Sequence, residues 1–276
     1  MTKVDALEVW RKISVAKICK EAVHFFNQSQ IPKKDILKQG AADFDKKASG
    51  KTDEKAHYRA VYCMSGAGYM SMHIKQNRVS NNAYLDEMAR AGNDILFVDF
   101  GCGPMTAGLT AAEIFSRYDN NYKQRTFYAG IDISRNMRIL AEGINLEFQL
   151  FNSNKFCIAE TLKQVADSID FRPTAIVFSL SYVLSPDTLS KTLPKSLAAE
   201  WHEFVESFPS SEEVRVIYHN PDGNFHQNWE AFCHHLGKFS QTGRLSYSLE
   251  QRNPCEWDGH RASTMAMIEG TKKAES

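Results

Sequence analysis

Ile95-Leu96-Phe97-Val98-Asp99-Phe100 runs directly into Gly101-Cys102-Gly103-Pro104-Met105. A six-residue run with one polar side chain reads as a strand buried on both faces. Glycines at 101 and 103 let the backbone turn sharply and approach a ligand closely. Helical periodicity follows at once, over about 106–118. The free amides of that helix's first turn can then meet a carboxylate or phosphate. Strand, glycine turn and helix together open an α/β unit.

The same grammar continues downstream. Residues 126–131 predict a second strand, and residues 134–142 a helix ending at Gly143. Leu146, Phe148 and Leu150 alternate with Glu147 and Gln149, which predicts a third strand. Ile158, Leu162, Val165 and Ile169 share a helical face, and residues 175–180 predict strand four. A helical region carries Leu197, Trp201, Phe204, Val205 and Phe208, with Pro194 near its start. Strand five is expected at 214–218, then a helix through Trp229, Phe232 and Leu236. Alternation at Leu245, Tyr247 and Leu249 and a last strand at 263–268 have no helix between them, so they pair antiparallel. The expected fold is α/β: Rossmann-like, doubly wound, with a mostly parallel seven-stranded sheet and an antiparallel last strand.

Upstream, residues 1–93 read as helices forming an N-terminal helical cap, with the second domain at 94–276. Val15, Ile18, Cys19, Ala22, Val23 and Phe26 make one apolar stripe, and Ile31-Pro32 breaks it. Residues 38–55 are polar and predict a loop. A helix is expected over about 54–75, interrupted or tightened at Ser65-Gly66-Ala67-Gly68, and another beginning near Ser80 as its N-cap. Tyr58, Tyr62 and Tyr69 lie along this region, where core packing is the plainer role and a lid wall the sharper one.

Composition fits an ordinary globular protein: 276 residues, 43% apolar and 24% charged. Lys plus Arg and Asp plus Glu are 33 each, which leaves no strong field for constitutive nucleic-acid binding. Residues 1–60 nevertheless carry 13 basic against 8 acidic side chains. No apolar run approaches the ~18 residues of a membrane span, and the start lacks a signal-peptide pattern. Six scattered cysteines without a CxxC pair predict reduced thiols and a cytoplasmic protein. Cys233, His234, His235, Cys255 and His260 match no usual zinc spacing, so no metal is expected.

The glycine loop is not a dinucleotide fingerprint, because the sixth position of G-x-G-x-x-G is Thr106. Val98-Asp99-Phe100-Gly101-Cys102-Gly103-Pro104-Met105 instead resembles the first motif of class I S-adenosylmethionine-dependent methyltransferases, D/E-x-G-x-G-x-G, with Met105 in place of the third glycine. Asp132, at the end of strand two, matches that family's ribose-binding acidic residue. The resemblance covers about 94–270. It implies S-adenosyl-L-methionine as cofactor, with Asp99, Gly101, Cys102 and Gly103 around its amino-acid end. Asp132 would hold its ribose diol and Ile133 its adenine. It further implies Asn152 or Asn154, after strand three, at the adenine amino group and Ser179, at the end of strand four, beneath the sulfur. The plainer alternative is that Asp99 and Asp132 end strands and cap helices, and that Asn152 makes an Asx turn.

Candidate catalytic residues are Tyr182, which could orient an acceptor, and His219, which could serve as general base. The strand-four end, Ser179-Leu180-Ser181-Tyr182, lacks the N/D-P-P-Y/F signature of amino-group methylation on bases. The expected activity is methyl transfer to a small-molecule acceptor, with no membrane partner. Two alternatives are an RNA- or ribosome-directed methyltransferase using the basic N-terminal region, and an inactive S-adenosylmethionine-binding module.

Overall fold

The computed structural model describes residues 3–13, 69–132, 135–181, 183–184, 193–221, 226–241, 245–247, 251–255 and 263–272. Its helices are α1 (Ala6–Ile13), α2 (Tyr69–Ala91), α3 (Thr106–Tyr118), α4 (Tyr122–Arg125), α5 (Arg135–Phe148), α6 (Leu162–Ser168), α7 (Leu193–Glu206) and α8 (His226–Phe239). Its strands are β1 (Ile95–Phe100), β2 (Thr126–Ile131), β3 (Phe156–Ala159), β4 (Ala175–Ser181), β5 (Glu213–Pro221), β6 (Leu245–Tyr247), β7 (Gln251–Cys255) and β8 (Ser263–Lys272).

The sheet order is β3-β2-β1-β4-β5-β8-β6, with β7 also paired to β8. The first five strands are parallel, and β8 runs antiparallel to β5 from Glu213↔Thr271 to Pro221↔Ser263. β6 and β7 meet different stretches of β8, so together they fill the seventh position across the sheet. This is the doubly wound, Rossmann-like arrangement expected from the sequence.

Alternation along the buried strands sends side chains to two cores. Ile95, Phe97, Tyr128, Val177 and Ile217 pack with α1, α2, α3 and α5 on one face. Leu96, Val98, Phe178, Val216 and Tyr218 pack with α6, α7 and α8 on the other. The second face is aromatic, with Phe178 stacked on Trp201 at 4.2 Å and Tyr218 on Trp229 at 4.5 Å. α1 and α2 share one apolar cluster with β1 and α3.

Three local expectations change. Residues 69–91 form one helix, and Ser80 lies inside it with its hydroxyl donating to the Asn77 carbonyl. α5 passes through Gly143 to Phe148, because Met137, Leu140, Ala141 and Ile144 keep a buried helical stripe. The alternation at 146–150 is therefore not a strand: Leu146 is 81% exposed, and β3 begins at Phe156. The apolar stripe at 15–26 and the tyrosines at 58 and 62 lie outside the described residues. No helix among the described residues is long and apolar enough to cross a membrane.

Candidate active site

On the α2 face of the sheet, apolar residues give way to polar ones toward the strands' carboxyl ends. Phe97 is followed by Asp99 on β1, Val177 by Ser179 and Ser181 on β4, and Ile217 by His219 on β5. Open α/β sheets bind ligands at this edge.

The glycine loop sits there as well. The amides of Gly101 and Cys102 both donate to the Ile131 carbonyl, at 2.7 and 2.9 Å, which ties the loop to the end of β2. Gly101 has φ +71°, and a Cβ there would come within 2.5 Å of Val183 Cγ2. Gly103 has φ +49°, and Met105 also adopts the left-handed region, at φ 53° and ψ 43°. The methionine thus keeps a backbone conformation that glycine adopts without strain, at a cost of about 1–2 kcal/mol. Its fully buried side chain offsets that strain.

Asp132 is buried, and its Oδ2 accepts the Gly103 N–H at 3.0 Å. Its own amide donates to the Ala159 carbonyl, and its carbonyl accepts from Arg138 at 2.6 Å. Arg138 also faces Glu160 at 3.4 Å. The second acidic strand end is therefore clamped from β3 and α5 and aimed into the glycine loop.

Asp99 has a different setting. Tyr128 donates its phenol to Asp99 Oδ2 at 3.0 Å, and the Gly108 amide in the first turn of α3 is near enough to lower the carboxyl's pKa. Met105, at the N-cap, supplies no side-chain bond to that turn. Gly108 makes room for Tyr128, since a Cβ there would lie 2.4 Å from the ring. Burial pushes the Asp99 carboxyl up to about 7; Tyr128 and the Gly108 amide pull it down, and nearby Asp132 pushes it further up. Asp99 thus sits in the wall of the loop, between Tyr128 and the first turn of α3.

Cys102 is a buried thiol in no disulfide, near Gly130, and its Sγ donates to the Gly103 carbonyl at 3.6 Å. Ser179 is buried, with its hydroxyl 3.5 Å from that of Ser181. His219 is fully enclosed; burial, and then the neighbouring His73 imidazole, lower its pKa to about 3. Burial likewise lowers His73 to about 4. His219 is consequently neutral at pH 7, with a lowered affinity for a proton. The expectation for Asn152 is corrected. It precedes β3, at the opposite end of that strand from the site, and donates to the Lys123 carbonyl at 3.0 Å. Ile133 and Tyr182 lie outside the described residues.

The sequence reading missed a contribution from α2. His73, Gln76, Asn77, Ser80 and Asn81 fall at i, i+3, i+4, i+7 and i+8 and face the same edge. Ser181 donates to Asn77 Oδ1 at 2.5 Å. Asn81 Nδ2 reaches Thr110 Oγ1 at 2.7 Å and the Ala107 carbonyl at 3.3 Å on α3. The i+3/i+4 spacing was the available signal, but carboxamides and a serine read as a solvated face.

A cavity of about 520 Å3 lies elsewhere, between α1 and the turns after α3 and α5. Its lining mixes Lys3, Lys12 and Lys123 with Asp5, Glu8 and Asp119, away from the strands' carboxyl ends.

No known family model matches the chain, and no curated protein is similar to it. Among solved structures, an O-methyltransferase from Bacillus cereus in complex with SAH is 9% identical, over 90% of this chain and 96% of that one, with a TM-score of 0.44. Magnesium protoporphyrin IX methyltransferase from Synechocystis PCC 6803 with bound SAH is 14% identical, over 72% and 86%, with a TM-score of 0.40. A candidate rRNA methylase from Clostridium thermocellum is 16% identical, over 68% and 96%, with a TM-score of 0.45. At these identities and scores the similarities carry no functional weight.

Proposed function

We propose that this protein is an S-adenosyl-L-methionine-dependent methyltransferase acting on a small-molecule acceptor. One arrangement carries the reading: a glycine loop with left-handed residues at the alternate positions 101, 103 and 105, faced by a clamped carboxylate, Asp132, from the next strand. The residues fit the cofactor. Gly101 and Gly103 keep the loop free of side chains, and Asp132 offers acceptors to a diol. Asp99 stands in the wall of the loop, and Ser179 lines the floor at β4. When bound, S-adenosylmethionine supplies a methyl group on a positively charged sulfur, transferred in one in-line displacement.

The chain's own task is mostly alignment, which can supply much of the rate without covalent help. Neutral His219 can hold an acceptor by hydrogen bonding rather than by taking its proton, and we assign Tyr182 to acceptor orientation from its position after β4.

Calorimetry with S-adenosylmethionine tests the assignment. Wild type should bind, and Asp132→Ala should weaken binding by about 10–100-fold, the loss of one or two charge-assisted hydrogen bonds. Absence of binding to the wild type overturns it. The excess of basic residues in 1–60 favours a second reading, an RNA acceptor. Retention on RNA that falls steeply with salt would replace the first by the second.

A further inference from the structure

Building on the methyltransferase reading, we propose that the first half of α2 is the acceptor wall, and that it recognises an uncharged small molecule offering both a hydrogen-bond donor and an acceptor, such as an amide or an amide-like heterocycle edge.

The valences of the buried carboxamides are incompletely used. Asn81 gives its Nδ2 hydrogens to Thr110 and to the Ala107 carbonyl, and because a carbonyl can only accept, the orientation of the amide is fixed. Its Oδ1 is left buried without a partner among the described residues, as is Gln76 Oε1. Asn77 receives the Ser181 hydroxyl on Oδ1, and its Nδ2 is buried and unfilled. Ser80 satisfies itself on its own helix. One donor and two acceptors therefore remain on a face that is 4% exposed or less at each of these three residues. Native interiors rarely leave such groups unmade unless something else completes them.

The charge of the surroundings narrows the ligand. His73 and His219 are held neutral by burial. Lys75 and Arg78 fall on the other side of α2 by helical spacing, and Arg78 is engaged by Glu113 at 2.9 Å. From β1 the nearest ionisable group is Asp99, capped by Tyr128 and α3. From β4 serine hydroxyls face the wall. Among the described residues a phosphate or carboxylate would meet no counter-charge there, and an apolar acceptor would leave the amide atoms unmade. A neutral group with both valences completes them.

Gln76→Met and Asn77→Leu replace the open valences with apolar side chains, and Asn77→Leu is made together with Ser181→Ala so that no hydroxyl loses its acceptor. Each is expected to raise the thermal midpoint of the free protein by about 2–4 °C. Each should leave the affinity for S-adenosylhomocysteine within about twofold of wild type. In 15N-labelled, S-adenosylhomocysteine-loaded wild type, acetamide should move the Asn77 and Gln76 side-chain amide resonances saturably, whereas acetate and methylammonium should not. In each variant the remaining carboxamide should no longer respond. A fall in either midpoint, a response to acetate equal to that of acetamide, or no saturation with acetamide overturns the proposal. Failure of the wild type to bind S-adenosylhomocysteine overturns the methyltransferase reading instead, and is read from calorimetry alone.

Discussion

The two halves of α2 bury unlike faces against the same side of one sheet. From Tyr84 onward the helix packs Tyr84, Leu85, Met88 and Ala89 into the apolar cluster. Arg215 on β5 fastens that half, donating to the Tyr84 carbonyl at 2.6 Å while it meets Glu213 at 2.6 Å and Glu87 at 3.3 Å. From His73 to Asn81 a half-buried imidazole is followed by a buried face in which one apolar side chain, Ile74, stands among carboxamides and a hydroxyl. Burying a leucine-sized side chain contributes about 1.5–3 kcal/mol, whereas an unmade buried polar group costs about 1–3 kcal/mol. The second half therefore anchors the helix and the first half is carried by it. Concentrating stability at the amino edge of the sheet leaves the carboxyl edge free for polar work.

Leu85→Ala should do the most damage, about 2–5 kcal/mol by urea unfolding, because the site is fully enclosed. If it costs no more than truncations in the polar half, the division of labour between the halves is wrong.

Next comes the response to pH. His219 has its pKa lowered in the fold, so its contribution is complete above about 6.5 and lost as pH falls toward about 3. His73 behaves alike, down to about 4. Asp99 opposes them. Its raised pKa means the fold keeps a proton that the unfolded chain releases, so stability is lost as pH rises from about 4 to about 7. Asp99→Asn should therefore stabilise the free protein at pH 7.5, by on the order of 2 kcal/mol, and steepen the loss between pH 6.5 and 4.5. Urea midpoints at pH 7.5, 5.5 and 4.5 measure both; a variant with the wild-type slope rules out Asp99 as the opposing group.

Asn81→Ala should cost about 1–2 kcal/mol, since it removes two hydrogen bonds to α3. The smallest effect is expected from Ser181→Ala, about 0.5–1.5 kcal/mol, through its single bond to Asn77. Equal losses for these two would mean that α2 is tied to β4 as firmly as to α3.

The contrast also explains what could be read from the sequence. The run 95–105 and Asp132 were legible because a buried strand, paired glycines and an acidic strand end are local patterns. The polar half of α2 was not, since Gln76, Asn77 and Asn81 are side chains that normally face water, and Ser80 there looks like the start of a helix rather than its middle. β3 was misplaced for a related reason: Leu146 and Phe148 alternate with polar neighbours, and only the tertiary packing of Met137, Leu140 and Ile144 shows the segment to be helical. The displaced strand carried Asn152 with it. The buried settings of Asp99 and His219 depend on α2 and Tyr128, which no spacing on their own strands encodes.

The antiparallel pairing of β5 with β8 sets an order of events during synthesis. β5 finds one neighbour, β4, already made, but residues 263–272 leave the ribosome some 40 residues later, after α8, β6 and β7. Until then β5 presents a strand edge with its backbone groups unpaired toward that side, a template for mispairing. The chain is therefore most vulnerable to aggregation in the interval between the emergence of β5 and that of β8.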